Sequence, residues 1–262
     1  MLNKLLKYEF KSTARSFGLV YLAIFALCVL NGILSHFNQS SVGETVQGIA
    51  ITALTFFAAA SFIITIVLNV NRFSKGVYKD EGYLLHTLPV RADQILAAKL
   101  IPATLWSIAS GLVMLISMFT LFFIAGAFTL TETVEAIGAL WDMLLRSTGW
   151  GDLLLTLLDV LLMLVQFYLL AYVSVALGNL FQKHKGGISI VIFFALNILQ
   201  AEIMALLGLP YLTITATSFL IAPTERFAAP SFQLCNIACL LVWSVISWVI
   251  AQLVLSKKLN LE

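Results

Sequence analysis

Two carboxylates, Asp159 and Glu202, stand inside runs otherwise apolar enough to cross a bilayer. Carboxamides accompany them. Gln166 lies two helical turns past Asp159, and Asn197 and Gln200 precede Glu202. A carboxylate in hydrocarbon costs several kcal/mol unless it is paired, protonated or hydrated, so such groups face a bundle interior or a wet cavity. Two uses follow for Asp159, Gln166, Asn197 and Glu202. Either they line a substrate path or its outer gate, or they are packing and hydrogen-bonding groups near the outer surface, with Arg146 or Arg226 as partners.

Other chemistry is not spelled out in the chain. There is no GxxxxGK[ST] phosphate loop, no HExxH and no glycine-rich dinucleotide fingerprint. His36, His86 and His184 fall in three separate loops. Cys28, Cys235 and Cys239 lie in apolar runs, where a free cysteine acts as a small hydrophobe, so no metal set is formed. No nucleophile stands beside a base. The chain reads as a non-enzyme that carries no cofactor and cannot hydrolyse ATP by itself. Its net charge of +2 is too small to suggest nucleic acid.

The elements that hold these residues are helices in a membrane. Apolar residues make up 61% of the 262-residue chain and charged residues 11%, against about 45–50% and 25% in soluble domains. A soluble globule has too much surface to cover for that balance, whereas lipid can cover a polytopic protein. Six runs are long enough to span, at 17–36, 48–70, 99–125, 153–178, 187–208 and 232–255. The expected fold is an all-α membrane protein, a single transmembrane domain over 1–262 with six transmembrane helices.

Charge sets the orientation. One set of connections and ends holds Lys4, Lys7, Lys11, Arg15, Arg72, Lys75, Lys79, Arg91, Lys99, Lys183, Lys185, Lys257 and Lys258; the other holds only Arg146 and Arg226. Basic connections stay inside. Both termini and the polar loop 71–98 are therefore expected in the cytoplasm. The segment 1–16 places Lys4, Lys7, Lys11 and Arg15 on one helical face and Leu2, Leu6 and Phe10 on the other. That is the pattern of an amphipathic interfacial helix anchored on anionic membrane lipid.

Two outer connections are more than plain turns. In 126–152, Val134, Ile137, Leu140, Trp141, Leu144 and Leu145 recur at helical spacing, which suggests a surface or re-entrant helix ended by Gly149-Trp150-Gly151. The segment 209–231 carries Pro210, Pro223 and Pro230 and cannot form one continuous helix. Both are expected on the extracellular side. Close helix packing is expected where small residues gather, at Ala58, Ala59, Ala60 and Ser61 and at Ser107, Ser110 and Gly111.

Within the central loop, Asp80-Glu81-Gly82-Tyr83-Leu84 is followed by Thr87-Leu88-Pro89-Val90 and then by Gln94 to Lys99, a helix with a lysine at the membrane. With the amphipathic start, six spans and both ends inside, this resembles the ABC-2 type permeases, membrane subunits of ATP-binding-cassette exporters common in bacterial cell membranes. The resemblance implies that Lys79, Asp80, Glu81, Gly82, Tyr83 and Leu84 form a short coupling helix docked on a separate cytosolic ATPase subunit, which binds the ATP and Mg. It implies that 1–16 is the elbow helix, and that a second permease subunit, identical or related, completes the path. The implied cargo is an amphipathic or hydrophobic peptide, lipid or drug. Small or polar residues often follow the Leu-Pro-Val of the family; here Arg91 stands first.

The residues carry part of this independently. A docking unit needs charge and an aromatic anchor on a short rigid piece, and Asp80, Glu81 and Tyr83 supply them, with Pro89 ending the unit. Two other classes stay open: an ATP-independent secondary transporter using Asp159 and Glu202, and a membrane sensor or scaffold that moves nothing.

Overall fold

The computed structural model describes residues 2–35, 41–78, 91–124, 130–181, 183–207 and 230–257, and the regular elements in them are all helices. They are α1 (Leu2–Ser35), α2 (Ser41–Tyr78), α3 (Ala92–Ile124), α4 (Leu130–Gly178), α5 (Lys185–Leu206) and α6 (Pro230–Lys257). Five contain stretches long and apolar enough to cross a membrane: Asn3–Leu34, Ala92–Leu121, Trp150–Gly178, Lys185–Leu206 and Gln233–Ser256. The remaining expected span, 48–70, lies inside α2.

The burial pattern runs opposite to that of a water-soluble protein. Phe56 is 75% exposed, Val191 68% and Leu154 65%, whereas Gln200 is fully buried and Gln166 and Asn236 nearly so. Many apolar side chains turn outward while these carboxamides turn inward, the pattern expected of helices surrounded by hydrocarbon. This is the build of a multi-pass membrane protein.

Two expectations about helix ends are corrected. The segment 1–16 was expected as an elbow distinct from the first span; α1 instead continues through it for 34 residues. The junction has no proline, and one buried stripe (Thr13, Phe17, Ile24, Cys28, Asn31) continues across it at helical spacing. Lys4, Lys7, Lys11 and Arg15 are all exposed on α1, so the amphipathic pattern is present without the break. The segment 126–152 was expected to end in a turn at Gly149-Trp150-Gly151; α4 runs through these residues as one helix of 49 residues. A glycine inside a helix costs about 1 kcal/mol relative to alanine, which neighbouring helix formers such as Leu153, Leu154 and Leu155 can offset. The segment 209–231, up to Pro230, lies outside the described residues.

The chain forms two compact units. One comprises 3–69 and 105–146; the other comprises 1–2, 70–104 and 147–262. In the first, α1 and α3 run parallel. Trp106 Nε1 donates to Thr13 Oγ1 at 2.8 Å, and the Trp106 ring stacks on Phe17 with centroids 4.9 Å apart. Further along both helices, a Cβ on Gly32 would lie 2.6 Å from Ile124 Cβ, so this glycine marks a close approach. Between these points Tyr21 and Ser110 share a hydrogen bond at 2.8 Å. α2 runs antiparallel to α3, with Thr65 Oγ1 3.1 Å from Ser110 Oγ and Ser61 Oγ near Met114 Sδ. Ser110 thus sits at a helix contact as expected, whereas Gly111 faces open space.

In the second unit α5 runs antiparallel to α4. Gln166 meets Gln200, Phe167 meets Phe193, and Gly178 lies against Ser189, whose Cα would be 2.9 Å from an added Cβ. α6 runs parallel to α4, pairing Thr156 with Gln233, Asp159 with Asn236 and Gln166 with Ser247. In each unit these are the directions of spans that cross a bilayer alternately.

Candidate functional site

A polar seam lies between α4, α5 and α6. Helical spacing creates it. On α6 the inward stripe is Gln233, Asn236, Leu240, Ser244, Ser247, Ala251 and Leu255. Its polar members all precede Ala251, with Leu240 the one apolar residue among them. On α5 the inward stripe is Asn197, Gln200, Ala201 and Met204. α4 contributes Thr156, Asp159 and Gln166 before it turns apolar at Tyr168 and Leu169.

Two stations make up the seam. At the first, Asn236 Nδ2 donates to Asp159 Oδ1 at 2.9 Å, and one turn nearer the helix starts Gln233 Nε2 donates to Thr156 Oγ1 at 3.4 Å. Asp159 is half-buried and Asn236 buried. Asn236 Oδ1 has no partner among the described residues. At the second, about 10 Å along α4 at 1.5 Å per residue, Gln166 Nε2 donates to Gln200 Oε1 at 3.1 Å and to Ser247 Oγ at 3.3 Å. Gln166 Oε1, Gln200 Nε2 and Ser244 Oγ are buried without partners among the described residues. Each such atom costs of the order of 1–3 kcal/mol if it stays unsatisfied. The seam can therefore do what an apolar interface cannot: it can hold a polar or charged group inside the bundle.

Beyond the seam lies an apolar cluster. Phe73, Val77 and Tyr78 from the end of α2 pack with Ile95, Leu96, Leu100 and Ala103 from the start of α3, with Tyr168, Tyr172 and Val173 of α4, and with Ala251 and Leu255 of α6. Phe73 stacks on Tyr172 with centroids 3.9 Å apart, and Tyr172 Oη donates to the Lys99 carbonyl at 3.3 Å. Tyr78 and Arg91, the two described ends of the central loop, are thus rooted in or beside the buried core. Arg91 caps α3: its carbonyl accepts from the amides of Gln94 at 3.0 Å and Ile95 at 3.2 Å. Asp93 in the first turn suits the positive end of the helix dipole. Burial holds the Tyr78 hydroxyl well above its ordinary pKa, and its oxygen has no partner among the described residues.

The sequence-derived candidates separate as follows. Asp159, Gln166 and Asn197 belong to the seam, with Asn197 and Gln166 buried. Glu202 does not. It is exposed on the face of α5 opposite Asn197, Gln200, Ala201 and Met204, and it is not brought to Asp159. Lys79, Asp80, Glu81, Gly82, Tyr83 and Leu84 lie outside the described residues. Asn236, Ser244 and Ser247 were missed. Each is a lone small polar residue in an apolar run, and only their spacing of eight and three residues, on one face of α6, marks them. Among the described residues no group of three or more His, Cys, Asp and Glu could hold a metal ion.

Compared with protein-family models, with curated proteins and with solved structures, the chain matches none.

Proposed function

We propose that this chain is the membrane-spanning permease subunit of an ATP-binding-cassette exporter, similar to the ABC-2 type. In this reading it moves an amphipathic or hydrophobic substrate outward, with ATP and Mg bound by a separate ATPase subunit and a second permease subunit completing the path. The observation that carries it is the packing of the two helix ends that flank the central loop. The segment with Asp80-Glu81-Gly82-Tyr83-Leu84 and Thr87-Leu88-Pro89-Val90 leaves α2 at Tyr78 and enters α3 at Arg91. Both helix ends belong to a packed cluster that also holds the last turns of α4 and α6. A push on such a loop reaches several helices as a rigid-body displacement, because packed cores deform little. The excess of basic residues on this side of the chain supports a cytoplasmic position, where an ATPase is available.

The experiment is recovery of the full chain, tagged and extracted in mild detergent from its native host. An ATP-hydrolysing partner that co-purifies, and whose turnover drives transport in proteoliposomes, supports the reading. A chain that transports without nucleotide overturns it. The half-buried Asp159 favours one second reading, ion-coupled transport without ATP, and the same proteoliposomes separate the two by replacing nucleotide with an ion gradient.

A further inference from the structure

We propose that Asp159 and Asn236 form a binding site for a monovalent cationic group, either an alkali ion or the ammonium of a small organic amine. The buried atom left over at this station is an acceptor. Asn236 Nδ2 donates to Asp159 Oδ1, and its own Oδ1 is buried with no partner among the described residues. That oxygen shares a carbon with the donating nitrogen, so it lies beside the carboxylate. A carboxylate and an unpartnered carboxamide oxygen offer acceptors to whatever enters. Hard monovalent ions are held by oxygen atoms, and an ammonium presents only donors.

Charge points the same way. No cation among the described residues pairs with Asp159, and its resolved interaction is with Asn236. An ionised carboxylate in apolar surroundings needs a countercharge. Deeper in the seam the spare atoms are again mostly oxygen: Gln166 Oε1 and Ser244 Oγ against the single carboxamide nitrogen of Gln200. Asp159 is only half-buried, while Gln166, two turns on, is closed off. This inference deepens the transport reading by naming the group the seam would hold, yet its test needs neither an ATPase nor transport.

The test is thermal unfolding of the full-length chain in phosphatidylcholine nanodiscs. Sodium, potassium or methylammonium chloride replaces N-methylglucamine chloride at constant ionic strength. A saturable rise of about 3–6 °C at ten times the Kd is expected. A rise with sodium or potassium alone assigns the site to an alkali ion, and a rise with methylammonium alone assigns it to an organic amine. Asp159→Asn should abolish the rise and Glu202→Gln, on the opposite face of α5, should leave it intact. Should Asp159→Asn fail to insert, Asn236→Ala reports in its place, with saturation moved at least about tenfold to higher concentration. No saturable rise with any cation overturns the proposal. So does a rise that survives Asp159→Asn, or one lost equally in Glu202→Gln.

Discussion

The ring of Tyr172 lies nearly flat on that of Phe73, with centroids 3.9 Å and planes 11° apart, so one aromatic stack joins the middle of α4's buried face to the last turns of α2. Both rings are essentially inaccessible. The stack is stronger than the hydrogen bond beside it, because the bond from Tyr172 Oη to the Lys99 carbonyl is 3.3 Å long. Tyr172→Phe keeps the stack and should cost about 1 kcal/mol. Tyr172→Ala empties the site and should cost about 3–5 kcal/mol. Unfolding in detergent of both variants checks this. A phenylalanine variant as unstable as the alanine variant would shift the weight to the hydrogen bond.

The carboxamide pair makes a second prediction. Gln166→Leu alone leaves Gln200 Oε1 and Ser247 Oγ without their donor, and should destabilise by about 1–2 kcal/mol. Gln166→Leu with Gln200→Leu removes both carboxamides and should recover most of that loss. A double-mutant cycle measures it through the coupling energy. Strict additivity would mean that the two groups do not interact.

Tyr78 predicts a pH dependence. Burial raises its pKa above the unfolded value of 10.0, so the folded state prefers the neutral phenol. That contribution is complete below the unfolded pKa and is lost as pH climbs past it towards the raised folded value. Tyr78→Phe also removes a buried hydroxyl with no partner. It should gain about 1 kcal/mol at neutral pH and flatten the fall in stability above roughly pH 10. Tm measured across that range reads both effects, and a loss at neutral pH would show that the hydroxyl is used.

Sidedness can be read with single cysteines in a background lacking Cys28, Cys235 and Cys239. Ser40→Cys should react with an impermeant thiol reagent in intact cells. Lys75→Cys, exposed near the end of α2, should react only after permeabilisation. Labelling of Lys75→Cys from outside would invert the topology on which the proposed cytoplasmic position of the central loop depends.

The helices were legible because membrane spans announce themselves by length and apolarity, and most expected spans fall inside helices seen here. Their ends were less so. Gly149 and Gly151 read as a turn, yet a glycine pair in a leucine-rich stretch can remain helical, and the unbroken buried stripe from Thr13 to Asn31 cannot be seen in a hydropathy run. The seam was half visible. Asp159, Gln166 and Asn197 stand out as polar residues in apolar runs. Glu202 stood out equally and faces away, because polarity alone does not say which side of a helix a residue occupies. Gly32 and Gly178 mark close approaches, whereas Gly111, one of the small residues expected at a helix contact, faces open space. Which glycine touches a neighbour depends on the neighbour.

The proposed ATPase contact in the central loop is the centre of the account, and a double variant tests it most directly. Glu81→Lys combined with Tyr83→Ala reverses one charge and removes the aromatic anchor in the segment between Tyr78 and Arg91. Truncating a buried interface anchor costs about 2 kcal/mol or more, roughly a thirtyfold loss of affinity. The measurement is co-purification of the ATPase with wild-type and variant chains, alongside nucleotide-dependent transport in proteoliposomes. The predicted result is a variant that inserts and folds but loses both its ATPase and its nucleotide-driven transport. A variant that retains both at wild-type level would contradict the account and remove this loop from the mechanism.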